Sequence, residues 1–262
     1  MIRFLGSLPL WQLLLLLNVW LMGTAFVGLW FVRRYVQPRL RLGYDDAYYG
    51  AAVVQSVMLL YGLIAALIAV GNWARHSQVS DIVSGEAAAI VSMWRDLGYY
   101  PEPLRNETRN ILRGYTEQVI HGALPQQRRG EIPSEGVEWM DRLQAQLLTF
   151  EPASESQKIF HAETLRAYND LVQQRRKRLD SMLGELPSVL WYVLLPGAMG
   201  CVVLCLFFHV ESLAFQAILL GGLAGFLALV LFVIVALDNP FEGSIAVSAD
   251  SYQLVYDQHM KR

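Results

Sequence analysis

Charge is what this sequence has least of: only 17% of its 262 residues are Asp, Glu, Lys or Arg, and they are spread very unevenly. None occurs between Arg3 and Arg33, between Asp46 and Arg75, between Glu185 and Glu211, or between Glu211 and Asp238. Each gap can cross a hydrocarbon layer of ~30 Å at ~1.5 Å per residue, so each reads as a transmembrane helix. With 54% hydrophobic residues and a mean hydropathy of +0.32, the chain is too apolar for an ordinary soluble domain. A basic surplus is lacking too: the net charge of -2 argues against a phosphate-binding face and hence against a nucleic-acid partner.

Cysteine is nearly absent. Cys201 and Cys205 both lie in the third gap, where only His209 could join them as a ligand, so they read as small apolar packing residues. No metal or cofactor is expected. They carry no information on redox compartment. The sequence has no P-loop, dinucleotide fingerprint, HExxH or GxSxG, and His76, His121, His161, His209 and His259 show no ligand spacing. The expectation is therefore that the protein is not an enzyme. No alternating apolar run suggests strands.

What is present is helix. From Ala47 to Trp73 the second apolar stretch is uncharged, no proline follows before Pro101, and Val79, Ile82, Val83, Glu86, Ile90, Met93 and Leu97 recur at helical spacing. One helix is expected to run from the membrane into water with an amphipathic face. The first helix is expected over about Leu10 to Val32, ending at the aromatic and basic edge Arg33, Arg34 and Tyr35. Arg3, the Leu13 to Leu17 run and Gly23 with Ala25 imitate a signal peptide, but cleavage after Ala25 leaves an orphan apolar fragment, so the segment reads as uncleaved. A short connector, Gln37 to Asp46, makes helices one and two a hairpin, with Asp45 or Asp46 as a cap.

Helix three is expected over Pro187 to Phe208, with a kink and a freed carbonyl at Pro196 and Gly197. Only His209 to Ser212 separate it from helix four, whose Gly221, Gly222 and Gly225 suit close packing within or between subunits. Helix four stops at Asp238, Asn239 and Pro240. The fold class is thus an all-α integral membrane protein. It has four transmembrane helices in two hairpins, with a long soluble helical insert between helices two and three.

The expected divisions are 1–46, 47–71, a soluble bundle 72–186, a hairpin 187–240 and a tail 241–262. Prolines cut the bundle into four segments at Pro101 and Pro103, at Pro125 with Gly130 and Pro133, and at Pro152. The last segment shows a stripe of Ile159, Ala162, Leu165, Val172, Leu179 and Leu183, opened by a capping box of Ser154 and Gln157. In the tail, Tyr252, Leu254, Val255 and Tyr256 could pack on the bundle. Arg175, Arg176, Lys177 and Arg178 precede helix three, either as a belt facing lipid headgroups or as a device attracting anions to a pore mouth. Polar residues inside the membrane are few: Gln55, Ser56 and Gln216. Gln55, Met58, Gly62, Ala65 and Ala69 fall along one stripe, which suits a helix contact or a pore that gates by dewetting.

This layout resembles the bestrophin-like domain family of bacterial four-helix membrane proteins, and more distantly the bestrophin anion channels. The stretches that carry the resemblance are Leu60-Tyr61 with Trp73, Glu86-Ala87, Asp170 ahead of Arg175-Arg176 and Arg178-Leu179, Pro187 with Leu190-Trp191, and Leu237-Asp238 with Pro240-Phe241. It implies a homo-oligomeric channel in membrane lipid, passing small inorganic anions through a central pore lined by helix two. Gln55, Met58, Tyr61 and Gly62 are then the pore-lining candidates, and Asp238, Asn239, Pro240 and Phe241 the family-like helix-end motif. A calcium site like that of animal bestrophins is not expected, because Glu242 precedes Gly243 and Ser244 to Ser248 carry no carboxylate. The alternative is a non-conducting scaffold or sensor whose bundle binds a partner.

Orientation is pulled both ways. Arg33, Arg34, Arg39 and Arg41 favour a cytoplasmic first connector; Arg3, Arg75 and Arg175 to Arg178 favour the opposite side. The expectation is a bacterial cytoplasmic membrane protein with a cytoplasmic bundle.

Overall fold

The computed structural model describes residues 9–39, 44–133, 136–182, 184, 186–208, 210, 212–241 and 245–261, with side chains omitted at 44–47. Expectations resting on Arg3, Arg41, the Asp45 or Asp46 cap, Leu183, His209 and residues 242–244 lie outside the described residues. Among those described, regular structure is entirely helical: α1 (Leu10–Phe31), α2 (Tyr44–Asp96), α3 (Leu104–Gln118), α4 (Leu124–Arg128), α5 (Gly136–Leu148), α6 (Glu155–Ser181), α7 (Ser188–Leu206), α8 (Leu213–Asp238) and α9 (Asp250–Val255). The chain divides into a first unit, Met1–Ala74 with Leu186–Asp238, and a second, Arg75–Glu185 with Asn239–Arg262.

In the first unit, α1, α2, α7 and α8 are each long and apolar enough to cross a membrane. The edge Leu13, Leu17, Leu21, Ala25 and Leu29 of α1 is buried at i, i+4 spacing, against a core that includes Leu220, Ala224, Ala228 and Leu231 of α8. A Cβ at Gly221 would lie 3.2 Å from the Phe26 ring, and one at Gly225 would lie 3.0 Å from Met22 Cε, whereas Gly222 faces open space. Two of the three glycines therefore serve contact with α1 inside the subunit, where close approach replaces the missing hydrophobic drive between membrane helices. Despite Pro196, α7 stays helical throughout. Two residues before that proline, the Leu194 carbonyl accepts a hydrogen bond from Tyr61 Oη at 3.1 Å.

In the second unit, α2 buries Val79, Val83, Glu86, Ile90 and Met93, and the turn that follows it buries Leu97. These join Leu112, Tyr115 and Val119, Leu143 and Leu147, Leu171, and Tyr252 and Val255 of the tail in one core. Of the break expected at Pro125 with Gly130 and Pro133, the part at Pro125 stays helical. A π-helical turn, Val119–Ala123, leads straight into α4, where Pro125 occupies the first turn and needs no hydrogen-bonded N–H. The stop is Gly130, whose φ of 74° suits glycine. Gly130 N donates to Gln127 O and Glu131 N to Gln126 O, the paired bonds that close a helix end. At the start of α6, Gln157 N donates to Ser154 Oγ and Ala153 N to Gln157 Oε1.

The stripe expected on α6 is corrected in part. Its buried residues are Thr164, Tyr168, Leu171 and Arg178, while Ile159 is exposed. Thr164 Oγ1 donates to Phe160 O and Tyr168 Oη to Met140 O. Leu165 and Val172 of the expected stripe pack, half-buried, against the core beside this edge, and the polar groups that are hydrogen-bonded bury there at little cost.

Candidate functional site

The apolar half of α2 has one narrow packed edge and a wide exposed face. Val54, Tyr61, Ala65, Ile68 and Asn72 are buried, and Met58 is half-buried against the same core. Asn72 Nδ2 donates to Ile234 O at 3.0 Å, tying the edge to α8. Gln55, Leu59, Gly62, Leu63, Ala66 and Val70 are exposed. A Cβ at Gly62 would meet nothing, and the Gln55 amide makes no hydrogen bond among the described residues. The four pore-lining candidates thus separate. Gln55 and Gly62 lie on the uncovered face. Tyr61 is corrected to an interior contact, because its hydroxyl finds the Leu194 carbonyl and its ring occupies the space a Cβ at Gly197 would need, 2.6 Å away. Met58 goes with it.

The basic cluster separates in the same way. Arg176 and Lys177 are exposed and Arg175 is half-buried, but Arg178 is 1% exposed and is corrected from a surface cation to an interior one. Its Nε meets Glu86 Oε2 at 2.6 Å and its Nη2 meets Glu86 Oε1 at 3.3 Å, a bidentate pair with a fully buried carboxylate. Tyr115 Oη donates to Glu86 Oε1 at 2.5 Å. The buried Tyr252 hydroxyl lies within electrostatic reach of the same carboxylate without meeting it in a full hydrogen bond. Burial, then the Glu86 charge, pushes Tyr115 and Tyr252 well above the usual tyrosine range. Burial alone would lower Arg178, and the Glu86 charge more than reverses this, so the guanidinium is held above its ordinary value. Hydrogen bonds of the cluster join α2, α3 and α6, with Tyr252 of α9 buried beside them, and its charges are neutralised internally. Sequence reasoning missed Tyr115 and Tyr252 as its members; the available signal was a carboxylate, Glu86, on an otherwise apolar stripe.

The helix-end motif performs two jobs. In the first unit, Asp238 is buried and its Oδ1 accepts from Leu186 N at 3.0 Å, fixing the chain that enters α7. In the second unit, Asn239 Oδ1 accepts from Phe241 N at 3.3 Å, Pro240 O accepts from Val247 N at 2.8 Å, and Phe241 is buried in the core. Gln216 is buried in the first unit and donates through Nε2 to Phe208 O at 2.7 Å. Ser56 Oγ donates to Ala52 O. Among the described residues no three His, Cys, Asp or Glu side chains converge as a metal site would require.

These features define an integral membrane protein with long apolar helices, an uncovered helix face and a second helical unit locked by a buried ion pair. A family model, the Bestrophin-like domain, matches residues 19–252. The chain belongs to the bestrophin-like family. No curated protein and no solved structure matches it.

Proposed function

We propose that this protein is an oligomeric ion channel with a central pore between subunits, lined by the exposed face of α2, and that small inorganic anions pass through it. The observation that carries this reading is Gln55, an amide without a hydrogen-bond partner among the described residues, on an apolar, uncovered face. Leaving such an amide in hydrocarbon costs several kcal/mol, on the order of 4–8 in a medium that cannot hydrogen-bond. Around an oligomer axis it meets water or its counterparts, and the apolar residues beside it suit gating by dewetting. Family membership supports the channel. The exposed Arg176 and Lys177 support the choice of anions.

In this reading all four apolar helices span a bacterial cytoplasmic membrane as two hairpins, with the second unit on the cytoplasmic side. Vesicles containing the purified full chain should pass chloride, and the protein in mild detergent should run as a homo-oligomer. A strictly monomeric particle would overturn both statements.

A second reading is favoured by a different observation: the exposed face of the apolar half of α2 carries no charge that could select an ion. A scaffold or sensor that binds a partner through its second unit needs none. Vesicles that pass neither chloride nor small cations at any voltage or pH would put this reading ahead.

A further inference from the structure

Within the first unit, α1 and α8 flank a groove of about 410 Å³, inside the range of ~300–1,000 Å³ typical of pockets that take small molecules. Its walls are apolar, with Phe26 and Trp30 from α1 facing Leu213 and Ala217 from α8, and it ends at Arg33 and Arg34. Phe26, Trp30 and Leu213 are exposed, so the groove opens to whatever surrounds these helices. Both helices are long and apolar enough to cross a membrane, and the surroundings of their walls are then lipid. From Phe26 to Arg33 the groove follows about 10 Å of helix.

We propose that this groove is a specific site for one anionic phospholipid, its acyl chain lying along Phe26 and Ala217 and its phosphate against Arg33 and Arg34. The charged end is built rather than incidental. Arg33 Nη1 donates to Gln216 Oε1 at 3.4 Å and Nη2 to Val210 O at 3.3 Å, and the buried Gln216 is itself fixed on Phe208 O. The guanidinium is thereby held at the groove mouth. Phe26 is seated against Gly221, and Trp30 meets Tyr35 edge to face at 6.1 Å between centroids, an aromatic pair suited to headgroup depth.

Charge selects the occupant. Arg34 is exposed and lines the groove beside Arg33. A phosphate whose headgroup has no ammonium fits it; a choline headgroup brings a cation against the Arg34 guanidinium. The apolar walls in turn select an acyl chain over a free phosphate ion. The site does not depend on whether the protein conducts.

The test uses the full chain in mild detergent, with phosphatidylglycerol and phosphatidylcholine of identical acyl chains as probes, read by native mass spectrometry and by thermal melting. Phosphatidylglycerol should bind the wild type about tenfold or more tighter than phosphatidylcholine and raise its melting temperature. Arg34→Gln should weaken phosphatidylglycerol about fivefold, the contribution of one cation near anionic lipid, with recovery in Arg34→Lys. Ala217→Trp, which fills the groove, should remove the tight site for this lipid. Equal affinity for the two lipids, unchanged phosphatidylglycerol binding in both Arg34→Gln and Ala217→Trp, or full displacement by the same concentration of inorganic phosphate would overturn the proposal. Arg34 is exposed, so its variant should fold and decides the matter alone if Ala217→Trp does not.

Discussion

Glu86 is the carboxylate on which the buried charges of the second unit converge. A buried ion pair is weak evidence of net stability, but removing one partner leaves an uncompensated charge and costs ~3–5 kcal/mol. Arg178→Met should therefore lower the melting temperature of the full chain sharply. The double variant Glu86→Gln with Arg178→Met should recover much of the loss, because the amide still accepts from Tyr115 and no charge is stranded. Equal melting of the single and double variants would show that packing, not charge, dominates the site. The tyrosines add a pH dependence. Their folded values lie well above the usual one, so the folded state holds these protons more tightly than the unfolded chain. Their contribution is complete below about pH 10, the unfolded tyrosine value, and is lost as pH rises beyond it. Tyr252→Phe removes one of the two titrations and no full hydrogen bond. It should leave stability at neutral pH within about 0.5 kcal/mol and make the decline of melting temperature above pH 10 shallower. An unchanged alkaline slope would assign that decline to other groups.

At the scale of elements, helix ends and the amphipathic face of α2 were legible from local chemistry, since the capping box of α6, the end of α8 at Asp238 and the buried edge of α2 from Val79 to Met93 depend on near neighbours. Tyr61 was not legible, because in a membrane lipid and protein are equally apolar, and spacing alone does not say which face of a helix meets its neighbour. Arg178 was misread for the opposite reason. Its charge signals exposure, and the carboxylate that reverses that signal lies 92 residues earlier in the chain. The glycines give the clearest element-scale test. Gly221→Leu and Gly225→Leu should separate α1 from α8 and lower the melting temperature, by the ~1–3 kcal/mol typical of overpacking, without changing oligomer mass. Gly222→Leu, facing open space, should be stable. If Gly222→Leu alone changes the oligomer, that glycine marks a contact between subunits. Gly197→Ala should also destabilise, since the Tyr61 ring is the rigid part of its side chain and cannot give way cheaply.

For the whole molecule, the two surfaces of α2 turn the channel proposal into a comparison between neighbouring residues. Tyr61 is committed to the subunit interior, where Tyr61→Phe gives up one hydrogen bond, worth about 0.6 kcal/mol on average inside membranes. That variant should melt slightly lower and conduct as the wild type does. Gln55 and Gly62 are exposed, and a Cβ at Gly62 would meet nothing among the described residues, so Gly62→Leu should melt like the wild type, as should Gln55→Leu where that face meets water. If α2 lines the pore, Gln55→Leu removes the polar group that helps water enter an apolar constriction, and Gly62→Leu narrows it; both should reduce chloride flux in vesicles while the oligomer persists. If that face instead meets lipid or a neighbouring subunit, flux is untouched and Gln55→Leu raises stability, because an amide in hydrocarbon has been removed. Paired flux and melting measurements on Tyr61→Phe and Gln55→Leu thus read opposite sides of one helix, and reduced flux from Tyr61→Phe but not from Gln55→Leu would place the ion path inside the subunit rather than between subunits.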